Sequence, residues 1–469
     1  MHLMIFNTES RKKEKVVGTT IRLYTCGPTV YNYAHIGNFR TYIFEDILRR
    51  TIKFLDMKVM QVMNITDVDD KTINGALQKK VGLKEYTQPF IEAFFEDMER
   101  LNIESAEFYP RATDFIPDMI AMIEELIKQG YAYVGHDKSI YFSIAKFPKY
   151  GRLSHLKLDE LKMNASCRVN NDEYEKENAS DFVLWKSYDK ERDGEIFWDS
   201  PFGLGRPGWH IECSSMALKL LGAPVDIHCG GVDNIFPHHE NEIAQSEAFL
   251  GKLFVKLWAH AAHLVVDNKK MSKSLGNFFT LRDIFLKGFN GREMRYMLLH
   301  THYRIPLNFT LDGLMAVRAS LRRIDDFILR LEGIKNDKMN AEKIDIEACL
   351  TLFTQALCDD LNMSQALAVL FDFIKKMNSL LDLEKIGKKE AERGLLVLKK
   401  MDSVLGVIWM REREVIPDDV KEAVCKREIA RKEKNWTLAD EMRKYVLSKG
   451  FIIEDTSQGP LIKRGIYKN

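Results

Sequence analysis

The chain has 469 residues, which exceeds the size of a single hydrophobic core, so two to four domains are expected. Hydrophobic residues make up 45% and charged residues 29%, and the net charge of +1 excludes an overall basic surface, so a nucleic-acid site must be a local patch. The sequence has neither an apolar run of about 20 residues nor a secretory signal, so we expect no membrane partner and a cytoplasmic location.

The first predicted elements form a βαβ unit. Residues 21–27 alternate between apolar and polar and end in Gly-Pro, which predicts a strand. Apolar residues at helical spacing follow from Phe39, and residues 59–65 predict a second strand. A helix between two such strands favours a parallel pair. The segment TDVDDK, residues 66–71, follows the second strand at the edge where α/β sheets bind ligands.

The rest of the first domain is interrupted. Mixed, charge-rich segments predict an insertion at about 110–200. Strand patterns return at residues 225–231 and 263–268, and a helix is predicted from residue 237 to residue 251 between them. We therefore predict an α/β catalytic domain over residues 1–305 that contains this insertion.

The remaining chain is predicted to be helical and then mixed. Apolar residues at helical spacing begin after residue 310, which predicts an all-α helical bundle over 306–410. The first stripe comprises Val317, Leu321, Ile324, Ile328 and Leu331. The last segment, 411–469, has 14 Lys and Arg against 11 Asp and Glu, and its pattern predicts a helix and a short hairpin. It is interpreted as a small, basic α+β domain.

Two segments are suited to phosphate binding. His35, Gly37 and Asn38 stand at the start of the first helix, whose exposed amides favour an anion. Residues 270–274, KMSKS, combine two lysines with two hydroxyls ahead of Gly276, as in a loop that closes over a polyphosphate. Each segment alone also fits a simpler interpretation, a loop histidine in one case and a solvated turn in the other.

A metal site is a further hypothesis. The cysteines are odd in number and scattered, which argues against a disulfide framework; they are Cys26, Cys167, Cys213, Cys229, Cys349, Cys358 and Cys425. His238 and Glu242 are four residues apart, so on a helix they share one face and, with Cys26 and Cys213, would complete a zinc shell. His239 and Glu240 compete for the role, and buried structural cysteines are the simpler alternative.

Together, HIGN and KMSKS resemble the paired signature of class I aminoacyl-tRNA synthetases. The longer motifs resemble the cysteinyl-tRNA synthetase family over essentially the whole chain. These motifs are CGPTVYNYAHIGN, NITDVDDK, GRPGWHIECS, DIHCGGVDNIFPHHENEIAQSE and KMSKSLGNF. The resemblance implies a Rossmann-like catalytic domain that activates L-cysteine with ATP and then transfers it to tRNA(Cys). It also implies Mg²⁺ with the ATP and one Zn²⁺ per chain, and we expect a monomer.

The resemblance assigns roles to individual residues. It implies zinc ligation by Cys26, Cys213, His238 and Glu242, and catalysis by His35, Asn38, Lys270 and Lys273. ATP would contact His35, Gly37, Asn38, Asp233, Lys270, Ser272, Lys273 and Ser274. The amino acid would contact Thr66, Trp209, His228 and Asp233. Zinc would separate a thiol from the hydroxyl of serine, which an apolar pocket distinguishes only about 10–200-fold.

Two positions depart from the family pattern. Asn38 stands where many members have a second histidine, and Ile462 stands in the final hairpin where members usually have a tryptophan. Alternatives to a tRNA ligase are a cysteine ligase acting on a small amine, a zinc hydrolase and an RNA-binding module. The helical bundle and the basic tail argue against a ligase for a small amine. KMSKS argues against a zinc hydrolase, which would leave this motif unexplained. Intact His35, Lys270 and Lys273 argue against an RNA-binding module without catalysis.

Overall fold

The computed structural model describes residues 1–156, 181–272, 275–342, 345–408, 417–456 and 459–464. The first ten strands are β1 (Met4–Asn7), β2 (Lys12–Lys15), β3 (Thr20–Thr25), β4 (Lys58–Met63), β5 (Ala132–Val134), β6 (Ile140–Phe142), β7 (Phe182–Ser187), β8 (Gly205–Pro207), β9 (Val225–Gly231) and β10 (Val255–Ala261). The remaining strands are β11 (Leu264–Val266), β12 (Lys269–Lys270), β13 (Leu307–Phe309), β14 (Phe451–Thr456) and β15 (Gly459–Arg464).

Helices carry most of the rest of the described chain. The first seven are α1 (Ile36–Phe54), α2 (Asp70–Lys79), α3 (Leu83–Arg100), α4 (Ile116–Lys128), α5 (Lys190–Asp193), α6 (Trp209–Leu221) and α7 (Glu240–Leu250). The others are α8 (Leu281–Leu286), α9 (Gly291–Leu299), α10 (Leu311–Glu332), α11 (Ile346–Cys358), α12 (Met363–Asp382), α13 (Lys388–Leu405), α14 (Asp418–Lys432) and α15 (Trp436–Ser448). Among the described helices, none combines the length and the apolar character that crossing a membrane requires.

The central sheet confirms the predicted parallel βαβ unit. Its strand order is β10-β9-β3-β4, and all three pairs are parallel. Parallel strands need a crossover, and α1 supplies it between β3 and β4. The carboxyl ends of β3, β4 and β9 therefore meet at one edge of the sheet. The α/β fold class predicted from the sequence is confirmed.

Some predicted elements shift in detail. The first helix begins at Ile36 rather than Phe39, because the side chain of His35 caps it. The helix predicted from residue 237 begins at Glu240, after a separate wide turn over Ile235–His239 in which Phe236 has extended backbone angles. β11 lies outside the central sheet, where it pairs with β12 and β13.

The predicted insertion contains β5, β6 and β7 of a second, antiparallel sheet, and the fourth strand, β8, lies just beyond the predicted bound at about residue 200. Residues 157–180 fall outside the described chain, so the expectation for Cys167 has no structural counterpart. The insertion is joined to the catalytic domain by an ion pair from Lys186 to Asp70, 2.9 Å long, and by Arg206, which also contacts Asp70. This pairing fixes the insertion to the start of α2.

The helices after residue 310 confirm the predicted helical pattern. The stripe of α10 predicted from the sequence is buried in full, and it packs in the same apolar cluster as α1 and the sheet. Arg295 on α9 strengthens this junction, since its guanidinium donates to Asp46 of α1 at 2.6 Å and to the carbonyl of Leu405 at 2.7 Å. The domain boundaries at 305 and 410 stay predictions from the sequence.

The tail contains the predicted hairpin, but two helices precede it where the sequence predicted one. α14 and α15 precede an antiparallel hairpin of β14 and β15. Ile462 packs beside the small buried cluster that includes Val420, Val446 and Phe451. The position that departs from the family pattern therefore has a packing role in this chain.

Candidate functional site

A cleft of about 700 Å³ opens at the carboxyl edge of the central sheet. The structure brings most of the predicted site residues to its lining. These are Cys26, His35, Gly37, Asn38, Thr66, Trp209, Cys213, Asp233, His238 and Lys270. Such an edge is where open α/β sheets bind their ligands, because loops diverge there and helix N-termini point inward. Lys273 and Ser274 lie outside the described residues.

The start of α1 holds His35 in one orientation. Its Nδ1 accepts a hydrogen bond from the backbone N–H of Asn38 at 3.1 Å, while Asn38 Oδ1 accepts one from the backbone N–H of His35 at 3.0 Å. Burial lowers the pKa of His35, and the carboxylate of Asp233 opposes this only in part. The neutral ring therefore carries its proton on Nε2, where it is available to donate to a ligand.

Gly37 permits the KMSKS segment to approach this helix. A Cβ at Gly37 would lie 3.0 Å from ring atoms of His35 and 3.2 Å from Cε of Met271. Real Cβ contacts are rarely so close, so a side chain here would displace the imidazole or the methionine. The two motifs thus meet through a position at which only glycine fits without movement.

Further contacts tie the KMSKS segment to α1. The backbone N–H of Ile36 donates to the carbonyl of Phe279 at 3.0 Å, and the ring of Phe278 stands edge-on to the His35 ring at 5.2 Å. Asn277 closes the loop, since Oδ1 accepts from Ser272 N at 2.8 Å and Nδ2 donates to Lys270 O at 3.2 Å. Asn277 carried no prediction from the sequence, and an amide directly after the KMSKS-Leu-Gly segment was its only local signal.

Four buried donors meet at the base of the cleft. Cys26, Cys213, His238 and Glu242 each offer one ligand atom, and these atoms all lie within 4.8 Å of one another. Nε2 of His238 and Oε1 of Glu242 are 3.0 Å apart. Two sulfurs, one imidazole nitrogen and one carboxylate oxygen form a donor set that suits Zn²⁺, whose bonds are about 2.0–2.3 Å.

The charges of this tetrad also suit a cation. A hydrogen bond from Cys26 lowers the pKa of the Cys213 thiol to about 6, and nearby His238 acts in the same direction. Although burial opposes ionisation, His228 and His238 hold the pKa of Glu242 at about 2. Burial also opposes a charged His238, but Cys213 and Glu242 raise its pKa to about 10. The protonated His238 therefore stands beside two buried anions, and a metal that bound this set would replace the proton on His238.

A second donor set overlaps the first. Cys26, His228, His239 and Glu242 also lie within 4.8 Å of one another. Neither His228 nor His239 belongs to the described lining of the cleft, whereas Cys213 and His238 do. Adjacent His238 and His239 fall in different sets, as expected for neighbours whose side chains diverge. The set that faces the cleft is the one placed to meet a substrate.

The histidines behind the tetrad have contacts of their own. Nε2 of His239 lies 3.2 Å from the Cys26 sulfur, and its Nδ1 lies 2.7 Å from Nε2 of His260. His228 was expected to contact the amino acid, but it is fully buried, stacks on Trp258 at 4.5 Å and lies 3.0 Å from Glu242. The structure therefore places His228 behind a candidate ligand rather than in the cleft, since the side chain of Glu242 stands beside it.

The residues expected to contact the amino acid differ in exposure. Thr66 is buried, and its hydroxyl donates to Glu212 at 2.8 Å. Trp209 is 44% exposed, with its ring 4.2 Å from that of His238. Asp233 is exposed at the opposite side, near His35. Glu212 carried no prediction from the sequence, although a carboxylate beside Cys213 in a buried helix was a usable signal.

Comparisons with known proteins agree on one family. The family model described as "tRNA synthetases class I (C) catalytic domain" matches residues 12–319, and the model described as "DALR domain" matches residues 352–409. A protein named "Cysteine--tRNA ligase" from Protochlamydia amoebophila (strain UWE25) is 58% identical over 467 residues, 98% of each chain. One of the same name from Chlamydia felis is 54% identical over 468 residues, covering 99% of this chain and 98% of the relative.

Solved structures support the same fold. The Mycobacterium tuberculosis methionyl-tRNA synthetase in complex with methionyl-adenylate superposes with a TM-score of 0.59 at 14% identity, covering 83% of this chain and 90% of that one. The Agrobacterium radiobacter K84 agnB2 LeuRS, in a ternary complex, also gives 0.59, at 12% identity and 83% and 84% coverage. At these identities the likeness is one of fold.

Proposed function

Because the chain belongs to the cysteine–tRNA ligase family of class I aminoacyl-tRNA synthetases, and so is an ATP-dependent aminoacyl-tRNA ligase, we propose that it activates L-cysteine as cysteinyl-adenylate and esterifies tRNA(Cys). One observation carries the proposal. The buried set of Cys26, Cys213, His238 and Glu242 opens on the same cleft as His35 and Lys270. A donor set suited to Zn²⁺ thus lies beside the segments that we propose to bind ATP.

The donor set is proposed to hold one Zn²⁺ per chain. When bound, zinc would favour the soft thiolate of cysteine over the hydroxyl of serine and lower the pKa of the thiol. The residues of the chain orient the substrate around that site. Trp209 covers the side of His238, and Thr66, fixed by Glu212, is placed for the polar end of the amino acid. Asp233 is proposed to bind the ammonium group or the ribose.

Adenylate formation needs charge stabilisation on the phosphates of ATP. At the start of α1 the backbone N–H groups of Ile36 and Asn38 already donate within the protein, so the groups proposed to meet the phosphates are the N–H of Gly37 and the Nε2 proton of His35, which is free of the capping interaction. Lys270 lies on the same cleft and is exposed, so its ammonium is available for the departing pyrophosphate. Ser272, and also Lys273 and Ser274 beyond the described residues, are proposed to complete this loop, with Mg²⁺ accompanying ATP.

Asn38 is proposed to support catalysis by fixing His35. Its amide is engaged with the backbone N–H of His35, so it acts on the orientation of the imidazole. Gly37 allows Met271 to reach the helix, which couples loop position to ATP binding. In this proposal, Asn38 and Gly37 explain how the HIGN sequence supports catalysis without a second histidine.

Recognition of tRNA is proposed for the parts beyond the catalytic domain. The helical bundle and the basic tail are proposed to contact the stem and the anticodon of tRNA. Ile462 has no aromatic ring and packs beside the buried cluster of the tail, so it cannot stack on an anticodon base. Action as a monomer in the cytoplasm stays a prediction from the sequence.

The test is pyrophosphate–ATP exchange with purified, reduced, zinc-replete protein in the absence of tRNA, with cysteine or serine as substrate. Exchange with cysteine that exceeds exchange with serine by well over about 200-fold supports the metal-selective pocket, because a purely apolar pocket gives less. Absence of exchange with either amino acid contradicts the proposal. Esterification of tRNA(Cys) by the same sample separates a tRNA ligase from a ligase acting on a small amine.

A further inference from the structure

Four residues form a series of hydrogen bonds in the wall of the cleft, which we term the linking network: Gly27, Asn64, Thr66 and Glu212. The backbone N–H of Gly27 donates to Oδ1 of Asn64 at 2.9 Å. Nδ2 of Asn64 donates to the hydroxyl oxygen of Thr66 at 3.1 Å, and that hydroxyl donates to Oε2 of Glu212 at 2.8 Å. The four residues are therefore connected without a break.

The two ends of the linking network adjoin the two cysteines of the tetrad. Gly27 follows Cys26, which itself follows the last residue of β3, and Glu212 precedes Cys213 in α6. The two middle members of the network lie in the segment directly after β4. Three separate segments therefore meet in the network, and the two that carry the sulfurs are joined through it.

Close packing leaves the linking network little freedom to move. A Cβ on Gly27 would lie 1.8 Å from the carbonyl oxygen of Asn64, so the two backbones are in direct contact. The side chains of Asn64, Thr66 and Glu212 are buried, and the backbone N–H of Thr66 donates to the carbonyl of Pro28 at 3.0 Å. A buried, hydrogen-bonded network of this kind is rigid, so a displacement at one end is transmitted to the other.

Glu212 is the member of the network that fold stability explains least. Its carboxyl group is fully buried, and among the described residues its one hydrogen bond is that with Thr66, since Oε1 has no partner there. Burying a carboxyl group with so few hydrogen bonds costs free energy, and an apolar side chain of similar size is often as stable or more so. A role in the site accounts for this carboxyl group better than a role in the fold.

We propose that Asn64 and Glu212 are positioning residues, which set the spacing of the Cys26 and Cys213 sulfurs through the linking network and thereby tune the metal site. The inference rests on the proposed function, because it takes the tetrad to hold zinc, and it adds two residues that do not touch the metal. A zinc site needs its ligand atoms placed precisely, since its bonds are short and tetrahedral. Loss of a group that orients a ligand typically weakens metal binding about 10–100-fold.

The test measures zinc affinity by competition with a chelator, and the absorption of the protein loaded with Co²⁺, whose thiolate charge-transfer band reports the bonds to the two cysteines. Glu212→Leu and Asn64→Leu are each expected to weaken zinc binding about 10–100-fold and to alter this band. Glu212→Gln keeps an acceptor oxygen for Thr66 and should match the wild type in both measurements.

A neighbouring carboxylate provides the matched control. Asp67 follows Thr66 and is also buried, but it accepts from the backbone N–H and the hydroxyl of Thr113 and takes no part in the linking network. Asp67→Asn should therefore keep the zinc affinity and the cobalt band of the wild type. Unfolding of the metal-free proteins by denaturant shows that each variant is folded, and Glu212→Leu is expected to keep the stability of the wild type.

The double variant, Asn64→Leu with Glu212→Leu, tests whether the two residues act through one network. If they do, the double variant should bind zinc about as tightly as the weaker single variant, because either substitution already breaks the connection. Independent effects would instead add in free energy.

The inference is overturned if Glu212→Leu keeps the zinc affinity and the cobalt band of the wild type, if Asp67→Asn loses as much affinity, or if the losses in the double variant add. Should Glu212→Leu fail to fold, Asn64→Leu carries the same prediction. Both measurements are made without substrate, which keeps them separate from the test of the proposed function. A wild type that binds zinc but shows no pyrophosphate–ATP exchange contradicts the proposed reaction alone, whereas a wild type that binds no zinc overturns this inference together with the proposed metal site.

Discussion

His35 and Asn38 each accept a hydrogen bond from the other's backbone N–H, at the first turn of α1. Nδ1 of His35 accepts from Asn38 N at 3.1 Å, and Oδ1 of Asn38 accepts from His35 N at 3.0 Å. This reciprocal cap leaves Nε2 of the imidazole as the donor toward the cleft. The asparagine of HIGN is therefore part of the support for the histidine.

Replacing Asn38 tests this support. Asn38→Ala removes the acceptor for His35 N, so we expect a loss of about 1 kcal/mol in unfolding free energy. We also expect exchange to slow about tenfold or more, since the imidazole is less well oriented. Asn38→Asp keeps the acceptor oxygen and should retain stability, while its charge beside ATP slows exchange. Wild-type stability and rate in Asn38→Ala would show that the cap is dispensable.

Gly37→Ala is expected to impair exchange without destabilising the fold. The added Cβ would crowd the His35 ring and Met271, so we expect a loss on the order of 10²-fold in exchange rate. Alanine is at least as favourable as glycine within a helix, so chemical denaturation should show no loss of stability. Gly82→Ala is the matched control, because nothing lies within 4 Å of a Cβ there. Equal rates in the two variants would refute the crowding argument.

Zinc content distinguishes the two overlapping donor sets. Suppose that the set that faces the cleft binds the metal. A chelator that does not remove zinc from the wild type should then remove it from His238→Gln. The variant His239→Gln should keep its zinc under the same conditions. Metal analysis of the purified variants measures this directly. The reverse pattern would assign the ion to the set with His228 and His239.

Cys213→Ser tests independently which of the two donor sets binds zinc. Cys213 belongs to the set that faces the cleft and is absent from the other, so the variant should lose zinc and bind cysteine more weakly. The free energy of unfolding serves as the control, measured at matched zinc content. Full zinc retention with unchanged cysteine affinity would rule out Cys213 as a ligand.

Asp97 is expected to make stability depend on pH. Burial raises the pKa of Asp97 from 3.8 to about 6, although its partner Arg282 opposes the rise. Between these values the native state binds the proton more tightly than the unfolded state, so this contribution to stability is greatest below pH 3.8 and is lost as the pH rises through about 6. Chemical denaturation across this range should show the loss, and Asp97→Asn should abolish it.

A neighbouring carboxylate provides the control for Asp97. Glu96 also contacts Arg282, at 3.0 Å, but its side chain is 48% exposed, so Glu96→Gln should leave the pH profile close to that of the wild type. If Asp97→Asn retains the full slope, a different group titrates in this window.

Much of the fold followed from local patterns. The period-2 and helical apolar spacings located β3, α1, β4 and the buried stripe of α10, because each pattern reflects burial of one face of one element. The HIGN and KMSKS segments, together with the longer motifs, likewise indicated the family that the comparisons then showed. Boundaries moved by a few residues where a cap or turn intervened, as at His35 and Phe236.

The arrangement of the site was decided by contacts between distant segments. Thr66 pairs with Glu212, and Met271 packs against Gly37, although the residues of each pair are far apart in the chain. His228 and Glu242 lie on different elements, which meet only in the tertiary structure. Periodicity reports which face of an element is buried, whereas the partner across that face is fixed only when the elements pack.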